Sequence, residues 1–339
     1  MERIRIVSTG GTIAATGDST DEAGKTPSVS AEDLVESVPE LEEYARIEVE
    51  SVCQRSGFQI DVENATDTVE AIERADDDGV DGVVVTHGTD TMAESAYHVG
   101  LVAETDLPVV FTGAQRPFDQ LGTDGPSNLV LAVRAAAHEA FREAGGSYLA
   151  FNDEIHAARW VVKSHTSKLE TFRSPEVGPI AQRTPDGLRF LRESGCYVAP
   201  VSGARIDSDV RVDIVMNALG ADGRQVERAL EDGVDGIVLA GTGLGNATGD
   251  LGSALESAVN KGVPVVLTSR SYAGTTAGLY GGPGGGRTLL DAGAVSGGDL
   301  PAWKARLRVA VALSANGDGD AKTPIDRVAS AFEGIESVD

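Results

Sequence analysis

The sequence predicts an α/β protein built from two α/β domains. Strand-like runs of valine, isoleucine and leucine alternate along the chain with helical patterns, an order typical of parallel sheets. The 339 residues exceed the number that one hydrophobic core usually serves. Hydrophobic residues make up 41% of the chain but aromatic residues only 5%, so aliphatic side chains must fill the cores.

Local signals place several helices and one long loop. Residues 30–33 resemble a capping box and predict the start of a helix. Apolar spacing predicts a helix over residues 68–75 and a longer one from about 127 to 143, with Pro126 near its first turn. The glycine-rich residues 278–298 are predicted to be a surface loop without helix, and a ligand loop is the less favoured interpretation.

A weak internal repeat supports two similar α/β units. Residues 78–85 are echoed by residues 232–239, and residues 107–112 by residues 263–268, at nearly equal offsets of 154 and 156. The first domain is predicted to be the larger parallel-sheet domain, and the second a smaller flavodoxin/Rossmann-like domain. The predicted boundaries are residues 1–187 for the N-terminal domain, 188–211 for the linker and 212–339 for the C-terminal domain.

The chain is strongly acidic, with a net charge of -25 from 53 acidic and 28 basic residues. Such a surface disfavours binding to nucleic acid and to anionic membranes. Only six of the basic residues are lysines. An ordinary acidic enzyme fits this composition, but the shortage of lysine favours a cytosolic protein from a salt-accumulating halophile, whose charges are screened by ions.

Cysteine usage and hydropathy indicate a reducing, cytoplasmic location. Cys53 and Cys196 do not make a disulfide framework, and no Cys/His spacing resembles a zinc site. The first strand begins at once after Met1, which leaves no room for a signal peptide. No apolar run approaches the ~20 residues of a membrane span.

Two strands lead into turns of hydroxyl and small residues. Strand 4–7 runs into Ser8–Ala14, and strand 82–85 runs into Thr86–Thr91. Neighbouring strands of an α/β sheet border a ligand crevice at their carboxyl ends, so the two turns could share a cleft. A threonine nucleophile with a positioned base, and glycine turns that offer N–H groups to an oxyanion, would suit acyl transfer. Ordinary Gly/Thr turns are the alternative.

These two turns resemble the signatures of the bacterial-type L-asparaginases, the asparaginase/glutaminase family. The resemblance continues through almost the whole chain in order. It includes residues 113–117, 124–129, 163–166, 241–246 and 268–270. It implies an enzyme that hydrolyses L-asparagine to L-aspartate and ammonia without metal or cofactor.

The resemblance assigns the catalytic roles to four residues. It implies that Thr12 is the nucleophile and forms an acyl-threonine ester, although capping of the next segment is an alternative role for this hydroxyl. It implies a hydroxyl–amine–carboxylate relay of Thr89, Lys163 and Asp90. A lysine is ordinarily charged at neutral pH, so such a relay needs desolvation to favour the neutral amine. Lys163 is also one of few lysines in an arginine-preferring chain.

The resemblance also implies a substrate pocket. Ser56 and Gly57 correspond to the α-carboxylate site, in a loosely matching stretch that could be an ordinary loop. Asp90 would bind the α-amino group as well as orient the lysine. Asn246 corresponds to a residue contributed across a subunit interface, with a turn asparagine as the alternative. The remaining predicted contacts to substrate are Gly11, Gly88 and Ala114.

The sequence departs from the family in the loop after the first motif, where members usually carry a tyrosine that assists the nucleophile. No tyrosine precedes Tyr44 in this chain. Either nothing replaces it, or Lys25 does, or Tyr272 or Tyr280 comes from another subunit. His87 lies within the second motif and is interpreted as structural.

The resemblance implies a homodimer or homotetramer in which domains of two subunits share an active site. The predicted partners are therefore L-asparagine and further copies of the chain, with no nucleic acid and no membrane. Two alternatives stay open. One is the asparaginase-like subunit of a tRNA-dependent amidotransferase, which usually has an additional N-terminal domain and needs a basic face for tRNA. The other is a non-catalytic amino-acid-binding protein.

Overall fold

The computed structural model describes residues 1–16, 26–201, 203–315 and 323–335. The chain divides into two units, Met1–Pro200 and Val201–Asp339. Each unit is built around its own cluster of buried aliphatic side chains. Within the described residues, no helix is both long enough and apolar enough to cross a membrane.

The first unit begins with alternating strands and helices and continues with short strands. The described strands are β1 (Arg3–Gly10), β2 (Ala15–Thr16), β3 (Thr26–Pro27), β4 (Arg46–Arg55), β5 (Gly82–Thr86), β6 (Pro108–Thr112), β7 (Gly146–Phe151), β8 (Glu154–Ala157), β9 (Val162–Lys163), β10 (Phe172–Arg173), β11 (Ala181–Thr184) and β12 (Gly187–Phe190). The helices are α1 (Ala31–Glu36), α2 (Val62–Asp77), α3 (Met92–Val102), α4 (Gly125–Ala137) and α5 (Glu139–Ala144), with 3-10 turns at Thr12–Ala14, Pro39–Glu43 and Gly57–Gln59.

Eight of the described strands form one sheet in the order β12-β11-β8-β7-β6-β5-β1-β4. Strands β4, β1, β5, β6 and β7 run parallel, as the sequence predicts, whereas β8, β11 and β12 pair antiparallel. The change of direction follows from the two-residue turn Asn152–Asp153, where φ is 48° and 64°. Such a turn matches the twist of a β-hairpin and returns the chain beside β7. The first sheet is therefore mixed.

The central strands β5 and β6 are buried because their sequences are mostly apolar. Every residue of β5 and of β6 is buried, which is typical of parallel strands covered on both faces. Helix α2 extends beyond the predicted residues 68–75 because Asp61 caps it, accepting a hydrogen bond from the Asn64 N–H at 2.9 Å. Ser30 caps α1 in the same way, through the Asp33 N–H at 3.0 Å.

The single helix predicted over residues 127–143 is wrong, because the chain breaks at His138 into α4 and α5. His138 has an extended backbone, with φ -74° and ψ 132°. Its ring accepts a hydrogen bond from the Ala140 N–H and so caps α5. The same ring packs against Phe190 at a centroid distance of 5.0 Å. Capping and aromatic packing together therefore favour the break over helical continuity.

The predicted linker, residues 188–211, contains the division between the two units. It also begins inside β12, which pairs with β11 from Gly187 to Phe190. Leu188 and Phe190 pack against the first core, so these residues belong to the first unit despite the polar composition around them.

The second unit is a parallel sheet with helices between its strands. It contains β13 (Val212–Met216), β14 (Gly236–Gly241), β15 (Val265–Ser269) and β16 (Val295–Ser296), in that order across the sheet, and α6 (Arg224–Glu231), α7 (Gly249–Asn260), α8 (Gly286–Asp291), α9 (Ala302–Ser314) and α10 (Pro324–Phe332). Ile237 of β14 packs in one core with Leu255 of α7, while Gly236 approaches Val309 of α9. Because adjacent strand residues face opposite sides, these helices cover opposite faces.

The prediction of a helix-free surface loop over residues 278–298 is wrong. This stretch contains α8 and β16, and β16 pairs with β15. The Gly286 N–H donates to Asn246 Oδ1 at 2.9 Å, and Leu289 is buried in the second core. Tertiary contacts therefore override the low helix propensity of glycine.

Candidate active site

Four turns meet at one edge of the first sheet. Strands β6, β5, β1 and β4 are neighbours and parallel, so their carboxyl ends lie side by side. The turns that follow them carry most of the residues predicted for the site. Those residues are Gly11 and Thr12 after β1, Ser56 and Gly57 after β4, Gly88, Thr89 and Asp90 after β5, and Ala114 after β6.

Glycines let three of these turns approach at backbone distance. Gly11 has φ +84°, and a Cβ built on it would lie 2.4 Å from the Gly88 nitrogen. A Cβ on Gly88 would lie 2.3 Å from the Gly57 nitrogen. Real side chains cannot occupy such space, so glycine is required at this contact. The contact brings the turns that carry Thr12 and Thr89 against each other, as the two motifs predict.

Lys163 joins Thr89 and Asp90 in one polar cluster. Its Nζ donates to Thr89 Oγ1 at 2.9 Å and to Asp90 Oδ1 at 2.6 Å. The Lys163 side chain is 17% exposed and that of Asp90 53%, whereas Thr89 is buried. The cluster therefore runs from a buried hydroxyl through the amine to a carboxylate that reaches solvent. This is the hydroxyl–amine–carboxylate order that the sequence predicts.

A short hairpin holds the lysine in place. Lys163 ends β9 and pairs antiparallel with Phe172 of β10. The next residue, Ser164, donates its N–H to Thr171 O at 2.7 Å and its hydroxyl to the same oxygen. These bonds close the loop between Ser164 and Thr171 at its base and so fix the backbone of Lys163. The hairpin thus holds the lysine in place, although it lies far from Thr89 in the sequence.

Gln115 is a member of the cluster that sequence reasoning missed. Thr89 Oγ1 donates to Gln115 Oε1 at 3.1 Å, and Gln115 Nε2 donates to Lys168 O at 3.1 Å. Asp124 fixes the backbone of this residue by accepting the Gln115 N–H. The residue lies inside the family-like stretch 113–117, but nothing in that stretch indicates a contact with Thr89.

Other hydroxyls of the two motifs stabilise the strand ends instead of joining the cluster. Thr9 Oγ1 donates to Thr86 O at 2.9 Å, and Thr86 Oγ1 donates to Ser8 Oγ at 3.2 Å. Thr91 Oγ1 donates to Gly57 O at 2.6 Å and ties the turn after β5 to the turn after β4. These bonds explain why the motifs contain more hydroxyls than the chemistry needs.

His87 is buried and linked to the scaffold through both ring nitrogens. Its Nδ1 lies 2.8 Å from Gly88 O and must donate to that carbonyl, while Nε2 lies 2.9 Å from Ser95 Oγ. Burial lowers the pKa of His87 to about 4, and the bond to the Gly88 carbonyl opposes this only in part. The ring is therefore neutral at neutral pH and supports the turn after β5, which agrees with the structural interpretation.

Comparison with known proteins identifies the family to which this arrangement belongs. The family pattern described as "Asparaginase, N-terminal" matches residues 3–195, and that described as "Glutaminase/Asparaginase C-terminal domain" matches residues 211–323. The chain belongs to the asparaginase/glutaminase family. L-asparaginase 2 of Bacillus subtilis is 36% identical over 279 residues, which cover 80% of this chain and 73% of that protein.

Other relatives extend the comparison, and a solved structure agrees in fold. L-asparaginase 2 of Escherichia coli is 35% identical over 286 residues, 81% of this chain and 80% of that protein. A crystal structure of a probable cytoplasmic L-asparaginase from Campylobacter jejuni matches with a TM-score of 0.85 at 30% identity, covering 98% of this chain and 99% of that one. The predicted α/β fold is thereby confirmed. One subunit of the glutamyl-tRNA(Gln) amidotransferase of Methanothermobacter thermautotrophicus is 35% identical over 300 residues, 86% of this chain and 67% of that protein.

Within this family fold, Ser56 and Gly57 form a small capped turn. The Ser56 N–H bonds to Gln59 Oε1 at 3.4 Å, and the Gln59 N–H to Ser56 O at 2.8 Å. Ser56 is half-buried beside the Gly57–Gly88 contact. Ala114 is fully buried in the single chain. Within the described residues, no three His, Cys, Asp or Glu side chains are arranged to hold a metal ion.

Asn246 lies in the second unit and has structural contacts there. Its Oδ1 accepts the Gly286 N–H at 2.9 Å, and its Nδ2 donates to Thr242 O at 3.4 Å. Lys25, the suggested replacement for the missing tyrosine, lies outside the described residues. The alternatives Tyr272 and Tyr280 are exposed on the second unit.

Proposed function

We propose that this chain is an L-asparaginase that converts L-asparagine and water to L-aspartate and ammonia through an acyl-threonine ester. The observation that carries this function is the contact of Lys163 with both Thr89 and Asp90. This cluster lies next to the Gly11–Gly88 approach, which is followed by Thr12. A nucleophile and a proton relay on touching turns are what stepwise amide hydrolysis requires.

In the first step, Thr12 Oγ attacks the side-chain amide carbon of the substrate. The C–N bond breaks, ammonia leaves with the proton of the Thr12 hydroxyl, and the aspartyl group stays on Thr12 as an ester. Glycine leaves the backbone of these turns unshielded by a side chain, and an N–H other than that of Gly11, which donates to Arg55 O at 2.8 Å, is proposed to bind the developing oxyanion. In this chain the Thr12 proton would first pass to Lys25, or to Tyr272 or Tyr280 of a second copy. The remaining alternative is that no residue replaces the tyrosine that assists the nucleophile in the family.

In the second step, the relay activates water. Water gives a proton to Thr89 Oγ1, while the Thr89 proton passes to the neutral amine of Lys163. The hydroxide forms a C–O bond with the ester carbon, the bond from that carbon to Thr12 Oγ breaks, and the proton held by Lys163 returns to Thr12. Asp90 orients the amine from 2.6 Å. Atoms and charges balance without a further reactant.

The amino-acid part of the substrate would be held by polar groups at the same edge. Asp90 is half exposed and can pair with an α-ammonium group. Ser56 and Gly57 are proposed to bind the α-carboxylate through hydroxyl and N–H. Gly11, Gly88 and Ala114 would line the pocket with backbone groups, which leaves room for a small substrate.

Self-association is proposed through the carboxyl edge of the second sheet. Large apolar side chains at this edge are exposed in the single chain, among them Leu219, Tyr272, Leu279 and Tyr280. Exposed apolar side chains of this size suit an interaction surface. Asn246 follows β14 at the same edge, so a second copy seated there would meet it. A homodimer or homotetramer is therefore proposed.

A cytoplasmic, halophilic setting is also proposed. It rests on the net charge of -25, on the presence of only six lysines, and on two cysteines that are both free thiols. Nucleic acid and membranes are not proposed as partners, because the acidic surface repels polyanions.

The amidotransferase alternative is favoured by one observation, the 35% identity to the Methanothermobacter amidotransferase protein. The net charge of -25 argues against a tRNA complex. A non-catalytic amino-acid-binding protein would not need the part-buried Thr89–Lys163 contact. The asparaginase function therefore explains more of the site.

An ammonia-release assay on the purified chain tests the proposed function. We expect stoichiometric L-aspartate and ammonia from L-asparagine across a range of KCl concentrations, and a loss of at least ~10³-fold in Lys163→Met, because the relay is removed. Lys168→Met, in the same hairpin loop, is the matched control and should remain active. A wild-type chain that binds L-asparagine but releases no ammonia at any salt concentration would favour the binding-protein alternative.

A further inference from the structure

We infer that Gln115 is a positioning residue that fixes the direction of the Thr89 hydroxyl proton, and so sets when the Lys163 amine can receive it. The inference rests on the proposed function and adds a residue to it. It is carried by the hydrogen bonds that connect Thr89, Gln115 and the Lys168 carbonyl.

The orientation of the Gln115 amide follows from its partners. A backbone carbonyl can only accept, so the group 3.1 Å from Lys168 O must be the NH₂ of Gln115. The amide oxygen therefore faces Thr89, at 3.1 Å from Oγ1. Since an amide oxygen can only accept, the Thr89 hydroxyl must donate its proton to Gln115.

The other side of Thr89 faces the amine of Lys163. A hydroxyl has one proton and two lone pairs, and here the proton is used by Gln115. Lys163 Nζ, 2.9 Å away, must then donate to a lone pair of Thr89 Oγ1. In this arrangement the Lys163 amine donates to Thr89 and does not accept from it. For Thr89 to pass its proton to the amine, its O–H must turn away from Gln115.

The scaffold holds Gln115 rigidly enough to impose this choice. Asp124 accepts the N–H groups of Gln115 and Arg116 at 2.9–3.1 Å and also bonds to Asn128 Nδ2 at 3.0 Å. Asn128 in turn donates to Gly113 O at 2.9 Å, so both sides of the turn are anchored. The Lys168 carbonyl belongs to the hairpin that carries Lys163. Gln115 thus joins the turn after β6 to the element that supplies the amine.

The contacts predict opposite effects for two substitutions. Gln115→Met keeps the size but removes the acceptor, so the hydroxyl is free to turn toward the amine and the neutral amine is favoured. Gln115→Glu keeps an acceptor for Thr89 and adds a negative charge that favours the ammonium form. Both variants lose the bond to Lys168 O. A difference between them therefore results from the acceptor that faces Thr89, and not from the loss of that bond.

The first measurement is the pH profile of kcat and KM with L-asparagine. In Gln115→Met we expect a maximal kcat about tenfold lower, the scale of one hydrogen bond, because no acceptor then holds the Thr89 hydroxyl in one direction while it takes the proton of water. KM should stay within about twofold of the wild type. The acidic half-maximum of kcat should move about one pH unit lower in Gln115→Met and higher in Gln115→Glu. Arg116→Met is the matched control and should keep the wild-type profile, because the Arg116 side chain bonds to Gly122 O in the same turn.

The second measurement does not depend on activity. The neutral amine reacts with trace acetic anhydride, and peptide mass spectrometry gives the pH of half-labelling at Lys163. We expect this pH to fall in Gln115→Met and rise in Gln115→Glu. If the two variants show these shifts but the wild type has no asparaginase activity, the inference is supported and the proposed function is overturned. If the wild type is active but both Gln115 variants have the same pH profile and the same labelling of Lys163 as Arg116→Met, only the inference is overturned.

Discussion

The two threonines of the site differ in their surroundings, and this difference suggests different tasks. Thr89 is buried, and its hydroxyl bonds to Lys163 and Gln115. A hydroxyl held on both sides can transmit a proton but is poorly placed to travel toward a substrate carbon. Thr12 begins a 3-10 turn after β1 and is only half-buried. Its environment is more compatible with a group that forms and breaks a bond.

This division of tasks predicts that the ester intermediate can be trapped. Thr12→Ala should abolish activity and form no covalent species. Thr89→Val should lose at least ~10²-fold in kcat, because water is no longer activated, yet it should accumulate enzyme with one aspartyl group. Intact-mass spectrometry after mixing with L-asparagine, followed by peptide mapping, locates the group.

The trapping experiment has two outcomes that contradict the proposal. A label on Thr89 rather than Thr12 would reverse the assigned roles. An active Thr12→Ala variant that never forms an adduct would favour direct attack by water. Ser8→Ala is the matched control, because Ser8 accepts a hydrogen bond from Thr86 and takes no part in the proposed relay.

At the level of single residues, motif context predicts part of the site. The two turns indicate Thr12, Thr89 and Asp90 because adjacent parallel strands bring their carboxyl ends together. The prediction of Lys163 rests on the family resemblance, and in the structure this residue contacts Thr89. Gln115 was not predicted, because its contact depends on how a hairpin from residues 162–173 approaches the turn after β6. No local sequence pattern encodes such an approach.

At the level of elements, His87 links the turn after β5 to helix α3. The ring bonds to Gly88 O on one side and to Ser95 Oγ of α3 on the other. The backbone N–H of His87 donates to Thr112 O at 2.9 Å, which adds the end of β6. One residue with a neutral ring thus connects three elements around the site, and protonation of the ring would disturb this junction.

Protonation of His87 should therefore weaken folding in acid. Its pKa is about 4 in the folded protein, below the ordinary 6.5 of an unfolded chain. Above pH 6.5 neither state takes up the proton, so no stability is lost. Between pH 6.5 and 4 only the unfolded chain binds the proton. The free energy of unfolding therefore decreases as the pH is lowered, by roughly 3 kcal/mol over this range.

Urea unfolding of the wild type and of His87→Gln between pH 7 and 4.5 measures this contribution. Glutamine retains a donor and an acceptor but does not titrate. The stability advantage of the wild type should shrink as the pH falls, whereas the changes caused by other ionisable groups are common to both proteins. A constant difference across this range would show that His87 is not the titrating group.

Elements were predicted where local and tertiary preferences agree. The buried strands β5 and β6 follow directly from their apolar sequences. The break at His138 and the helix α8 were missed, because ring packing on Phe190 in one case and a bond from Gly286 to Asn246 in the other oppose the local signal. Such contacts come from residues distant in the sequence.

At the scale of the whole molecule, repulsion among the excess negative charges opposes the attraction within local ion pairs. A network of arginines binds carboxylates between β1, β4 and α2, and Arg5 and Arg3 lower the pKa of Glu48. Its members are Arg3, Arg5, Arg74, Glu48, Glu50 and Asp78, with closest N–O distances of 2.8 to 2.9 Å for most pairs. These contacts are far shorter than the Debye length of about 10 Å at 0.1 M salt, so salt screens them less than it screens distant repulsions.

The net charge of -25 therefore predicts that salt stabilises the protein and supports activity. In dilute buffer of 0.01 M the Debye length is about 30 Å, and most acidic side chains repel one another across the surface. In 1 M salt it is about 3 Å, and only the contact pairs persist. We expect Tm and kcat to rise from about 0.05 M to about 2–3 M KCl, with full activity only at molar concentration.

Calorimetry and ammonia release over this series, with sucrose at matched osmolality as the control, separate screening from general stabilisation. Sucrose favours compact states by exclusion from the surface but leaves charge repulsion intact. A rise in Tm with KCl that clearly exceeds the rise with sucrose is the expected result. Equal rises would indicate exclusion instead of screening, and an unchanged Tm with full activity in dilute buffer would show that the acidic surface is incidental. Because distant repulsions vanish before contact pairs do, most of the gain should already be present by about 1 M KCl.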